Sequence, residues 1–126
     1  MKLSKIVKKV LKLWNKEYKK GFFSYIILLL LKDKPRYGFE ISNKISEITL
    51  KKVTFQSSGI YHILKKMEHE GLVTSDWEPS DKGPNRKYYT ITESGEQLLK
   101  IFTKNFILPI NNAVNKLIEK HFSKLK

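Results

Sequence analysis

The sequence predicts a mainly α-helical domain that carries one small β-hairpin, an α+β fold. Apolar residues recur at three- and four-residue spacing along most of the chain, which is typical of amphipathic helices. Residues 72–78 and 86–91 have the character of short strands, and a turn-rich segment lies between them. A chain of 126 residues has the size of one ordinary domain. We therefore expect one compact unit.

The composition favours a folded, strongly basic protein. Hydrophobic residues make up 40% of the chain, and 25 Lys and Arg against 12 Asp and Glu give a formal net charge of +13. Such an excess favours a polyanionic partner, first nucleic acid and second an anionic membrane surface. The absence of cysteine excludes disulfides, thiolate metal sites and thiol nucleophiles, and it fits a cytoplasmic location.

The chain begins with a predicted amphipathic helix over residues 3–18, inside an N-terminal segment 1–20. One face is apolar and the other is rich in lysine, so this helix can dock on a partner, in which case it is associated with a dimer, or lie on a membrane surface. Gly21 is expected to end it. Residues 22–32 then form a second, almost entirely apolar helix for the core, too short to span a bilayer, which needs about 20 residues.

Two further helices are predicted before the hairpin. The third follows Pro35 and has one apolar face, which consists of Tyr37, Ile41, Ile45 and Ile48. After the connection 49–56, the fourth covers residues 57–70, with Ser57 or Ser58 as its cap and Gly71 as its stop. Its apolar face, expected to pack against Ile41 and Ile45, consists of Ile60, Ile63, Leu64 and Met67.

Thr92 is predicted to cap a final long helix in the segment 92–126, and Pro109 is expected to kink or split it. Its apolar stripe is wider than one neighbouring element covers, so part of it is expected to meet another copy of the chain. The predicted dimerisation residues are Leu99, Phe102, Phe106, Ile110, Ala113 and Leu117.

Short helices followed by a hairpin form the layout of a winged helix-turn-helix domain, here residues 21–91. In that layout the last short helix enters the major groove of duplex DNA and the hairpin lies beside it. The outward face of the fourth helix supplies hydrogen-bonding and basic groups. The candidates for base edges are Gln56, Ser57, Ser58 and His62, and those for phosphates are Tyr61, Lys65 and Lys66.

The hairpin tip adds positive charge beside that helix. The wing, residues 78–87, carries the candidate backbone or minor-groove contacts Lys82, Asn85, Arg86 and Lys87. The sequence therefore favours a regulator of transcription that binds double-stranded DNA. The alternative is a winged-helix module for protein interaction or for an anionic membrane surface, without sequence-specific DNA binding.

Three segments resemble the PadR family of transcriptional regulators. They are Lys34-Pro35-Arg36-Tyr37-Gly38-Phe39-Glu40-Ile41, the block from Ile60 to Val73, and the block from Gly83 to Gly95. The resemblance implies a homodimer formed by the long terminal helix, with Tyr61 near the DNA backbone. Ser58, Gly59 and His62 depart from the family pattern, so the base preference of the family is not carried over to this chain.

The same resemblance implies a small hydrophobic effector. Its candidate pocket residues are Trp14, Trp77, Phe102 and Phe106, for which ordinary packing of large aromatics is the competing interpretation. An enzyme is not expected, because the three histidines form no metal or catalytic motif and no glycine loop cradles a phosphate. No cofactor or metal is expected.

Overall fold

The chain forms a winged-helix core with a long helix at each end. The computed structural model describes residues 2–125. The elements in chain order are α1 (Lys5–Asp33), β1 (Arg36–Tyr37), α2 (Gly38–Ile48), α3 (Ser57–His69), β2 (Val73–Glu78), β3 (Arg86–Ile91), α4 (Glu93–Phe102), a π-helical segment (Thr103–Ile107), α5 (Leu108–Phe122) and a 3₁₀ turn (Ser123–Leu125). The predicted fold class is confirmed.

The first two predicted helices are one helix, so the prediction of a break at Gly21 was wrong. α1 runs without interruption over 29 residues. Its second half is anchored in the core by Phe23, Ile27 and Leu31. A helix that is already nucleated extends at little cost, and one glycine opposes this by only about 1 kcal/mol. Among the described residues, no helix is both long enough and apolar enough to cross a membrane.

The core lies where α1, α2 and α3 meet the sheet. Ile41, Ile45, Ile60 and Leu64 are each fully buried, as the helical spacing predicts. Ile48 is 47% exposed, so its predicted place on the buried face of α2 was wrong. It is the last residue of that helix, where the chain already turns away from the core.

The sheet has three antiparallel strands in the order β1-β3-β2. β3 begins and ends where the sequence predicts, and β2 begins one residue later. β1 was not predicted, because two residues are too short to show alternation. In the register of the sheet, Arg36 lies opposite Tyr89, Tyr37 opposite Tyr88, and Glu78 opposite Arg86.

Both ends of α3 are defined by the local sequence. The N-cap is Gln56, without a side-chain cap bond, so the predicted caps Ser57 and Ser58 instead occupy the first turn. Gly71 ends the helix as predicted, with φ of 80°. The Leu72 amide donates to the Met67 carbonyl and the Gly71 amide to the Glu68 carbonyl, which is a Schellman motif.

The last helical region is capped by Thr92, whose hydroxyl accepts from the Gly95 amide at 3.1 Å, as predicted. Helix continues past Pro109, so the proline does not split the region. The turn before it is π-helical, and the Leu108 amide donates to the Thr103 carbonyl five residues back. A proline crowds the carbonyl four residues before it, and a widened turn relieves that crowding.

Candidate nucleic-acid interface

α3 has an apolar side in the core and a polar side facing away from it. Ile60 and Leu64 have no exposed surface, whereas Tyr61 between them is 41% exposed. This orientation is the one that the sequence predicts. The exposed side chains of this region are Gln56, Ser58, Tyr61, His62, Lys65, Lys66 and His69, and Ser57 is half-buried.

The Tyr61 ring is positioned by the start of α2. It lies so close to Gly38 that a Cβ at that position would come within 2.5 Å of Cε1 and Cζ of the ring. Gly38 is the first residue of α2 and is itself buried. The ring therefore needs a glycine here, and its place on the surface of α3 depends on contact with α2.

The start of α3 is held by Phe55, the residue before its N-cap. The Phe55 ring stacks on Phe23 of α1 at 4.0 Å between centroids, and its carbonyl accepts from the Ser42 hydroxyl at 2.8 Å. A Cβ on Gly59 would come 2.8 Å from Phe55 Cζ, so the ring fills the space beside the first turn of α3. This packing fixes the helix start, where the predicted base-contacting residues lie.

The wing projects its tip into solvent. Lys82, Asn85 and Arg86 are exposed, and Gly83 has φ of 109°, a backbone conformation that glycine adopts without strain. The Arg86 guanidinium lies over the Tyr37 ring, 4.6 Å from its centroid, and that ring meets Tyr88 edge-on. Arg86 thus contacts an aromatic face while its side chain stays exposed.

Lys87 has different surroundings from the tip residues. Its Nζ lies 4.0 Å from Glu68 Oε1, and about two-thirds of its side chain is covered. The sequence analysis did not single out Glu68, because only the folded chain brings the end of α3 beside both strands of the wing. Burial, followed by the charge of Glu68 and the proximity of Tyr61, raises the pKa of Tyr89 next to this pair.

A sequence profile described as the transcriptional regulator PadR-like family matches residues 27–101. This span contains most of the winged-helix domain, from the core half of α1 through α3 and the wing into α4. The chain belongs to the PadR-like family of transcriptional regulators. The resemblance stated from three sequence segments is therefore confirmed.

Individual proteins are similar to this chain over much of its length. A protein of Lysinibacillus sphaericus is 31% identical over 87 residues, which covers 69% of this chain and 80% of that protein. A PadR-like transcriptional regulator from Bacillus cereus has 30% identity and a TM-score of 0.68, covering 81% of this chain and 96% of that one. Bacillus subtilis PadR, solved in complex with operator DNA, has 32% identity and a TM-score of 0.57, covering 63% of this chain and 45% of that one.

The C-terminal helices of this PadR-like chain leave their apolar stripe open. Phe106, Ile110 and Leu117 are each about half exposed, and Ala113 is exposed as well. Leu99 differs, because it is 6% exposed and belongs to the core of its own chain, where α4 packs against α1. This burial does not support the predicted role of Leu99 in dimerisation, and we leave Leu99 out of the proposed dimer surface. Leu99 precedes the π-helical segment, beyond which the helix leaves the core.

A cleft of about 910 Å³ lies between α1, α3 and α4. Tyr25, Leu28, Ile63 and Phe102 contribute to its apolar wall, and lysines contribute to its lining. Of the four predicted effector-pocket residues, Phe102 lines this cleft, whereas Trp14, Trp77 and Phe106 do not. The Phe102 and Phe106 rings stack with 4.9 Å between their centroids. This contact favours ordinary aromatic packing as the role of these two rings.

Proposed function

We propose that the chain is a homodimeric repressor that binds double-stranded DNA in a sequence-specific way. α3 would enter the major groove and the wing would contact the backbone or the minor groove. The observation that carries this proposal is the orientation of α3, with Ile60 and Leu64 in the core and a polar, basic side outward next to a basic wing tip. Because the proposed ligand is double-stranded DNA, the proposed location is the cytoplasm.

The proposed contacts divide into those with base edges and those with phosphates. Gln56, Ser57, Ser58 and His62 would read base edges, because the first turns of such a helix reach deepest into the groove. Phosphates would be bound by Tyr61, Lys65, Lys66, Lys82, Asn85 and Arg86. Bacillus subtilis PadR, a relative that shares the fold, was solved with operator DNA, which supports a duplex ligand here.

The proposed dimer rests on the open apolar stripe of α5. Ile110 and Leu117 expose about half of their surface to solvent, and monomeric proteins rarely leave such an apolar stripe uncovered. A second copy of the chain would cover this stripe, to which Phe102, Phe106 and Ala113 also belong. A twofold dimer would bind two half-sites separated by about 34–36 Å or a multiple of that distance.

A small hydrophobic effector is part of the proposal. Within one chain, its most suitable space is the apolar cleft that Phe102 lines. A ligand of this kind would touch α1, α3 and α4 at once, because residues of all three helices line the cleft. The check is a thermal-shift screen of planar hydrophobic compounds, with Phe102→Ala as the variant that should lose the shift.

The proposal is tested by selecting bound fragments from a random duplex pool and measuring affinity for the selected duplex across a salt series. We expect log affinity to fall with log salt by about 0.9 for each phosphate contact. A duplex should compete far better than anionic vesicles for the protein. Failure to enrich any sequence, together with preference for vesicles, would contradict the proposal and favour a membrane-surface role for the basic half of α1.

A further inference from the structure

One acidic side chain connects the groove helix to both strands of the wing. Glu68 Oε2 accepts a hydrogen bond from the Ser75 hydroxyl of β2 at 2.5 Å. Its other oxygen, Oε1, lies 4.0 Å from the Lys87 ammonium of β3. Glu68 is in the last turns of α3, so this carboxylate joins three elements.

An acid at this place has a cost if α3 faces DNA. Glu68 is the one acidic residue between residues 56 and 69, and its charge repels phosphates. Its side chain is about one-third exposed, so solvent screens it only in part. Pairing with Lys87 offsets the charge, and the hydrogen bond from Ser75 fixes the direction of the carboxylate.

The surroundings of Lys87 are those of an inward-facing side chain. Its Nζ lies 5.8 Å from the ring centroids of both Trp77 and Tyr89. Arg86, its neighbour in sequence, points to the other side of the strand and lies over Tyr37. The two adjacent basic residues of the wing therefore have different neighbours and are expected to have different roles.

We propose that Glu68 is a positioning residue that sets the wing against α3, and that Lys87 is its counter-ion instead of a phosphate ligand. The inference rests on the proposed DNA binding. It assigns specificity to a residue that touches no DNA, because a displaced wing would no longer hold α3 in one register on the duplex.

The test is a double-mutant cycle with Glu68→Gln, Lys87→Met and the double variant, using a selected duplex and a scrambled duplex. We expect each single change to lower the preference for the selected duplex by about fivefold, and the double change to cost no more than either single change. Lys87→Met should leave the salt slope unchanged. The matched control is Glu96→Gln, which removes the Lys32–Glu96 pair (3.2 Å) elsewhere in the chain and should not change either affinity.

Two results would overturn the proposal. If Lys87 contacts a phosphate directly, Lys87→Met will lower the salt slope by about 0.9 whether or not Glu68 is present. The affinity losses of the two single variants will then multiply in the double variant. If Glu68 acts only by repelling phosphates, Glu68→Gln will strengthen binding to both duplexes equally.

A DNA-free measurement separates this proposal from the proposed function. In Glu68→Gln, amide hydrogen exchange of β2 and β3 should accelerate about fivefold, while exchange in α2 stays unchanged. A wild-type chain that binds no duplex would end the proposed function and the positioning role that rests on it, although the exchange result would still report the contact. A chain that binds duplex normally, with preference and exchange unaffected by Glu68→Gln, would end the positioning role alone.

Discussion

The Tyr61 ring rests on the backbone of Gly38, at a distance that leaves no room for a methyl group. A Cβ at position 38 would lie 2.5 Å from two ring carbons. The surface of α3 that we assign to phosphate binding is thus shaped partly by the first residue of α2. This contact makes Gly38 important for a surface on which it has no side chain of its own.

Gly38→Ala should therefore weaken binding to every duplex. The ring has to move away from α2, and with it the proposed phosphate contact of its hydroxyl, so we expect affinity to fall by about tenfold, roughly 1.4 kcal/mol. The measurement is a binding titration with selected and scrambled duplexes. The double variant Gly38→Ala/Tyr61→Ala should recover folding stability, because the clash is absent. A single variant with unchanged affinity would show that Tyr61 does not contact DNA from this position.

Gly21→Ala is the matched glycine substitution, and here we expect the added methyl group to be favourable. A Cβ at position 21 meets no atom within 4 Å, and the residue lies inside α1. Alanine forms helix better than glycine, so the free energy of unfolding should rise by about 0.5–1 kcal/mol. Urea denaturation followed by circular dichroism checks this. A fall in stability would mean that α1 bends or breaks at Gly21 in solution.

Leu99 and Leu117 should respond differently to truncation. Leu99→Ala empties a buried site and should lower the free energy of unfolding by about 2–5 kcal/mol. Leu117 is 58% exposed, so Leu117→Ala should leave the single chain folded and weaken self-association. Sedimentation equilibrium and urea denaturation measure the two effects. A Leu117→Ala chain that associates as tightly as the wild type would contradict the proposed role of this stripe.

The proposed phosphate-contacting residues and the proposed base-contacting residues should have different effects on binding when they are replaced. Lys65→Ala or Arg86→Ala should weaken binding to all duplexes and reduce the salt slope by about 0.9, the loss of one phosphate contact. Gln56→Ala or His62→Ala should instead change which duplex is preferred. Lys124→Ala, an exposed lysine near the chain end, is the control and should leave binding unchanged. Equal losses from all four interface variants would contradict the division into base and phosphate contacts.

Sequence spacing predicts the features that depend on one element at a time. The buried side of α3, the bounds of β3 and the stop at Gly71 follow from periodicity and local conformation, and each is confirmed. The contact between Tyr61 and Gly38 and the carboxylate bridge of Glu68 depend on how separate elements meet. No local pattern encodes these, so they emerge only from the structure.

The break predicted at Gly21 and the grouping of Leu99 with the dimer stripe have a related cause. Gly21 was interpreted by local propensity, but the packing of Phe23 and Ile27 outweighs the cost of one glycine and keeps α1 continuous. Leu99 was grouped with the later residues of its stripe because they share one spacing. The π-helical segment changes that spacing after Phe102, so the stripe divides between the core and the open surface.

The most direct test of the interface is a map of amide chemical-shift changes when the selected duplex is added to the full chain. The account predicts the largest changes at residues 56–66 and 80–86, with little change along residues 110–122. Changes confined to the N-terminal half of α1 or to α5, with residues 56–66 unaffected, would contradict it.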